Sequence, residues 1–250
     1  MADALKGRKA VVTGASAGIG EATALALAAE GADVSLGARR KDRLDELVKR
    51  IEADGGTAHA FEVDISGEEA ARGFIEGAAK EMGGLDILVN NAGVMLLGAV
   101  TGADTDEWRT MVDVNVLGLL YCTHAALPLM QEGGGGHIVN LSSVAGRTAA
   151  LGSGVYNFTK WGVTGFSEAL RQEALHAGIR VTVIEPGFVA TELQEQNTNP
   201  VVLEQVEKMR EQIGDVLEAE DIANAIVYTV ASPQRVSINE VLIRPTGQQR

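Results

Sequence analysis

Residues 9–20 read KAVVTGASAGIG: a short apolar run, a turn holding three glycines, and the start of an alanine-rich stretch. The run over 9–13 suits a buried strand, and the alanines and leucines over 21–30 suit a helix. Between them each glycine has a mechanical use: a tight turn, close backbone approach to a phosphate, and close packing of helix on strand. The amides that open the helix carry partial positive charge and can hold a pyrophosphate. Gly14, Ser16, Ala17, Gly18, Ile19 and Gly20 are therefore candidate cofactor-binding residues. The spacing is G-x-x-x-G-x-G, a relative of the dinucleotide fingerprint G-x-G-x-x-G. Taken alone, it fits a plain strand-to-helix turn equally well.

Outward from this stretch, strand and helix patterns alternate to the end of the chain. Strands are predicted over 33–37, 57–63, 85–89, 137–141, 179–184 and 240–243. Helices are predicted over 42–53, 68–82, 106–130, 156–177 and 221–231. Such alternation implies a parallel sheet with helices on both faces, an α/β fold in three layers. The unbroken apolar run around Ile87, Leu88 and Val89 agrees, because parallel strands are covered on both sides. Nothing in the composition divides the chain, so residues 1–250 read as a single domain. The polar segment over 192–214 reads as an insertion overhanging the carboxyl ends of the strands, where such sheets bind ligands.

Composition narrows the class. The 250 residues are 46% hydrophobic and 22% charged, enough for a large core. The net charge of −13 opposes a nucleic-acid partner. A single cysteine, Cys122, forbids an internal disulfide and reads as a buried small hydrophobe. Residues 1–9 carry two lysines and an arginine but no apolar signal core, and no apolar run has bilayer-spanning length. The expectation is a cytoplasmic protein with no membrane partner.

The tip of the second strand, LGARR over 36–40, lacks the carboxylate that would pair with the adenosine ribose of NAD. A guanidinium from Arg39 or Arg40 can meet a 2′-phosphate bidentately, which favours NADP(H) over NAD(H).

Further on, Tyr156 precedes Lys160 by four residues, which puts both on one helical face. A free phenol titrates near pH 10, and a neighbouring ammonium lowers that value. Tyr156 could then exchange a proton with an alcohol or carbonyl oxygen. Alone, the pair also fits a packing role. Around it stand Ser143 after the strand over 137–141, NNAG at 90–93, Asn115 in a long helix, and PG at 186–187.

Together, in this order and spacing, these motifs resemble the short-chain dehydrogenase/reductase family over essentially the whole chain. The resemblance implies a Rossmann-type doubly wound sheet and an NADP-dependent oxidoreductase that moves a hydride between nicotinamide and a small carbonyl or alcohol. It implies that Tyr156 is the general acid or base, that Ser143 bonds the substrate oxygen, and that Lys160 holds the nicotinamide ribose. Asn115 would carry a water relay from a local kink in its helix. Asn91, Ala92 and Gly93 would lie toward the adenosine ribose, and Asp64 and Ile65 toward adenine. Pro186, Gly187, Val189 and Thr191 would lie toward the nicotinamide. It also implies a homotetramer or homodimer, which the long apolar helices suit. NNAGVMLLG at 90–98 and IRPT at 243–246 are similar to a bacterial subgroup that includes the dehydrogenase forming clavulanic acid, hinting at aldehyde or small-ketone reduction.

Some residues stay open at this level. Ser142 adjoins Ser143, and only one hydroxyl of two neighbours in a strand can address a cleft; the thirteen-residue spacing to Tyr156 in the family favours Ser143. Trp161 reads as core, and Leu96, Leu97 and Phe188 as pocket lining. Arg147 fits equally a cleft cation and a partner of a surface acid. A non-catalytic NADP(H) binder is the rival function, opposed by the complete Asn-Ser-Tyr-Lys set. A sugar-nucleotide epimerase would need more chain after Pro186. The four histidines show no ligand spacing, and no metal is called for.

Overall fold

The computed structural model describes residues 3–197 and 199–249. Seven strands form one sheet: β1 (Lys9–Thr13), β2 (Asp33–Ala38), β3 (Thr57–Glu62), β4 (Ile87–Asn90), β5 (Gly136–Leu141), β6 (Ile179–Pro186) and β7 (Glu240–Ile243). Their spatial order is β3-β2-β1-β4-β5-β6-β7, and every pairing is parallel. This is the doubly wound, Rossmann-type arrangement. Strand order reverses between β1 and β4, which opens a crevice at their carboxyl ends.

Alternation along β1 shows how the core forms. Ala10 and Val12 enter one apolar cluster with Leu36, Leu44, Ile222 and Ile226, while Val11 enters another with Leu88, Cys122, Met130 and Ile138. Helices α1 (Gly18–Ala29), α2 (Lys41–Ala53) and α8 (Ala219–Ala231) supply the first face. Helices α3 (Glu68–Met82), α5 (Leu119–Glu132) and α6 (Gly154–Ala174) supply the second. All eight residues of β6 are buried, whereas edge strands β3 and β7 are half-exposed, as a sheet covered at its centre requires. Truncating a side chain such as Leu36, at 0% exposure, costs about 2–5 kcal/mol.

The helix expected over 106–130 is a 28-residue rod, Thr105–Glu132, long and apolar enough by length and composition to cross a bilayer. The sequence reading had found no such run. The rod packs against α3 and the sheet, burying a stripe of Met111, Asn115, Leu119, Cys122, Ala126 and Met130. It is not uniform: α4 (Thr105–Val112) passes through a π-helical turn, Asp113–Gly118, into α5. Gly118 lets this turn approach closely, since a Cβ there would lie 2.8 Å from Ile65 Cδ1.

The segment expected as an irregular insertion over 192–214 contains α7 (Pro200–Ile213). Asn199 accepts the Val201 amide at 2.9 Å and Pro200 occupies the first turn, so capping chemistry that was present in the sequence builds it. Only Val202 among its residues is buried, which is why the polar composition masked it.

Candidate active site

The crevice is a cleft of about 400 Å³ at the carboxyl ends of the strands. Its floor is the turn after β1. Gly14 has φ +67°, and a Cβ there would fall 2.7 Å from Ala92 Cα. Thr13 Oγ1 accepts the amides of Asn91 and Ala92, both at 3.0 Å, and Asn91 Nδ2 donates to the carbonyls of Thr13 and Gly14. The segment NNAG is thereby stitched to the glycine turn. Ala17, at the start of α1, provides no side-chain cap, so the opening amides of the helix face the cleft as an anion site. A glycine cradle with open helix amides fits a dinucleotide pyrophosphate.

Gly14, Ser16, Ala17, Gly18 and Ile19 line the cleft, as do Arg39, Arg40, Asp64, Ile65, Asn91, Ala92, Gly93, Pro186, Gly187, Val189 and Thr191. Gly20 does not. It lies behind the wall, where a Cβ would meet the Gly14 carbonyl oxygen at 2.3 Å. Arg39 and Arg40 are exposed at the tip of β2. Burial raises the Asp64 carboxyl, but the Ser66 bonds and the Arg39 charge outweigh it and leave Asp64 below the ordinary range. Arg40 Nε donates to Ser16 Oγ at 3.1 Å, which ties the β2 tip to the glycine turn.

At the other end of the cleft stand Ser143, Tyr156 and Lys160. Tyr156 and Lys160 are buried on one face of α6, with Nζ 5.8 Å from the ring centroid. Lys160 Nζ donates to the Leu141 carbonyl at 2.8 Å. Burial lowers its pKa to about 8. Burial also pushes the Tyr156 phenol up to about 12, against the pull of its hydrogen bond with Ser143. The sequence argument had the ammonium lowering this pKa; desolvation of a phenolate in the cleft wall is the larger effect.

Ser143 Oγ donates to the Pro186 carbonyl at 3.4 Å and accepts the Ala145 amide at 3.1 Å. Ser142 turns its hydroxyl into α6, donating to the Lys160 carbonyl at 3.0 Å. Asn115 does not line the cleft. Its Oδ1 accepts the Val94 amide at 2.8 Å, and its Nδ2 donates to the Val94 carbonyl and to Thr159 Oγ1. The kink expected at Asn115 is the π turn.

A family model described as short chain dehydrogenase matches residues 8–201. The chain belongs to the short chain dehydrogenase family. It is 42% identical over 245 residues to the glycine betaine reductase of Emericella nidulans, covering 98% of this chain but only 19% of that protein. An uncharacterized oxidoreductase of Staphylococcus saprophyticus is 38% identical, with 98% of each chain covered. Among solved structures, a serine dehydrogenase complexed with NADP+ is 34% identical, covers 96% of both chains and has a TM-score of 0.88. A 7α-hydroxysteroid dehydrogenase complexed with NADH is 28% identical, covers 98% of this chain and 96% of its own, and has a TM-score of 0.89. This chain is accordingly an oxidoreductase of the short chain dehydrogenase family.

Several neighbours in this short chain dehydrogenase escaped the sequence reading. Glu192 lines the cleft and accepts from Arg40 Nη1 at 2.7 Å and Arg43 Nη1 at 2.6 Å, which holds its carboxyl below the ordinary range. No local pattern could reveal a contact 152 residues apart. Val114, Leu193, Gln194 and Gln196 also line the cleft, as does Val94, which the sequence left open between pocket and core. Phe188 faces a second cavity between the 188–195 segment and α7, and half-buried Leu96 and Leu97 line neither cavity. Trp161, read as core, is 53% exposed. Arg147 turns away from the cleft to pair with the fully buried Glu185, Nε to Oε2 at 2.6 Å, and with Glu240.

Proposed function

We propose that this short chain dehydrogenase is NADP(H)-dependent and interconverts a small aldehyde or ketone with its alcohol. The observation that carries this reading is the convergence of Ser143, Tyr156 and Lys160 on the cleft that also receives the glycine turn and Arg39 and Arg40. The glycine turn and the α1 amides hold the pyrophosphate, Arg39 and Arg40 the 2′-phosphate, and Asp64 and Ile65 the adenine end. When bound, the reduced nicotinamide supplies the hydride.

The residues of the chain do the rest. Burial keeps the Tyr156 phenol protonated, so in carbonyl reduction it donates its proton to the substrate oxygen, and in the reverse reaction its phenolate accepts one. Ser143 donates a hydrogen bond to the same oxygen as charge develops there. Lys160 stabilises the phenolate left on Tyr156 and holds the nicotinamide ribose. Asn115 spends its side chain on Val94, so its part in a proton relay falls to the backbone of the π turn. Apolar lining from Val94, Val114, Leu193 and Val189 favours a small uncharged carbonyl, in keeping with the resemblance to an aldehyde-reducing subgroup.

The same reading places the enzyme in one domain and in a reducing cytoplasm, consistent with a lone buried cysteine. It also makes the enzyme a homo-oligomer.

The test is a panel of aldehydes, ketones and hydroxy acids assayed with NADPH and NADH in parallel. We expect carbonyl-dependent loss of NADPH absorbance, with NADPH preferred. Preference for NADH removes the role given to Arg39 and Arg40. Tyr156→Phe should cut turnover by about 10²–10⁴-fold while NADPH still binds; turnover near that of the parent refutes the mechanism.

A further inference from the structure

We infer that Glu192 is a built-in competitor for the cofactor 2′-phosphate, and that it tunes how strongly this enzyme discriminates NADP(H) from NAD(H). The inference rests on the reading that Arg40 receives that phosphate. The donors at this end of the cleft already hold an anion. Glu192 Oε2 accepts from Arg40 Nη1 at 2.7 Å, Glu192 Oε1 accepts from Arg43 Nη1 at 2.6 Å, and Arg40 Nε donates to Ser16 Oγ at 3.1 Å. Two guanidinium groups and a hydroxyl form a donor set suited to a phosphate, and a carboxylate sits on it. Arg40, Ser16 and Glu192 all line the cleft, so this cluster belongs to the cofactor's path and not to a remote surface.

Glu192 comes from the far side of the cleft. It follows Thr191, whose Cγ2 lies so close to the glycine turn that a Cβ on Gly18 would be 3.0 Å from it. The carboxylate therefore fastens the segment after β6 to the tip of β2, across the pyrophosphate turn. A 2′-phosphate brings a charge of about −1.5 to −2 at neutral pH and three acceptor oxygens. It can take Arg40 from a carboxylate, but it must break that bond and suffer the repulsion of a nearby Glu192. An unphosphorylated ribose has no charge with which to compete, and it leaves the Glu192 pairs in place. The pairs are roughly half-exposed, with side-chain exposures of 42–44%, so each opposes the phosphate only modestly.

The experiment is binding, not turnover. Adenosine 2′,5′-bisphosphate and adenosine 5′-monophosphate, which differ only in the 2′-phosphate, are titrated calorimetrically into the parent enzyme and Glu192→Gln. Glutamine keeps the length of the side chain and removes its charge, at a half-exposed position. The preference for the bisphosphate should rise about three- to tenfold in Glu192→Gln, and the NADPH over NADH preference should rise with it. An unchanged or diminished preference overturns the inference, because Glu192 then either does not compete or serves to orient Arg40. If neither protein prefers the bisphosphate, the phosphate site itself is wrong and the inference falls with it. Equal preference in both proteins removes the inference alone.

Discussion

At the scale of single residues, the chemistry turns on two opposite consequences of burial. Desolvation disfavours charge, so it raises the Tyr156 phenol to about 12 and lowers the Lys160 ammonium to about 8. On the proposed mechanism Tyr156 then acts as the proton donor, and Lys160 carries the charge that stabilises the phenolate left behind only below about pH 8. Reductive kcat measured with saturating NADPH should accordingly fall as pH rises through about 8. A reductive profile flat to pH 10 contradicts the assignment to Lys160. The residue types were legible in the sequence. The family spacing already favoured Ser143 over Ser142, and the coordinates add where their oxygens are spent: one on the Lys160 carbonyl, the other beside Tyr156.

At the scale of elements, the glycine turn after β1 is the part on which the site rests. Gly20 never reaches the cleft, yet a Cβ there would collide with the Gly14 carbonyl at 2.3 Å and with Asn91 Nδ2 at 2.5 Å. Both atoms belong to the stitch between β1 and β4, so neither has room to move. Gly20→Ala should lower stability by about 1–3 kcal/mol in urea unfolding and weaken NADPH binding several-fold. Stability within a few tenths of the parent value contradicts that packing role. Arg147 illustrates the other outcome for a motif neighbour. It closes the loop after β5 onto β6 and β7 by pairing with a carboxylate at 0% exposure, so its removal leaves Glu185 buried without its cation. Arg147→Ala should cost about 1–3 kcal/mol, discounted because Arg147 itself is partly exposed, with no change in the NADPH over NADH preference. Among the helices, α7 went unread because its composition is polar and only Val202 is buried, although Asn199 and Pro200 mark its start.

At the scale of the whole molecule, the two apolar clusters account for the faces of the sheet but leave large apolar side chains exposed on helix surfaces, α6 among them. Leu151 is fully exposed, Phe158 is 67% exposed and Trp161 53%, all on or beside α6. Apolar groups of this size in one region suit association with a second copy. Phe158→Asp combined with Trp161→Lys should shift the enzyme toward smaller species in sedimentation velocity, while cofactor binding persists. An unchanged sedimentation coefficient, whether the parent is a monomer or an assembly, removes α6 from the interface. The edge strands β3 and β7, half-exposed along their length, belong to the same surface economy, since each has a partner strand on one side only.

Local order along the chain was enough to establish alternating strands and helices, a parallel sheet, a glycine cradle and a Tyr-Lys pair on one helical face. These depend on neighbours within one or two turns, and periodicity records such neighbours directly. Contacts between distant segments had to wait for packing. Glu192 meets Arg40 across 152 residues, Asn115 is drawn inward to Val94, Trp161 is left outside, and burial reverses the expected direction of the Tyr156 shift. Each of these follows from which surfaces exclude water together, and no short stretch of letters carries that information.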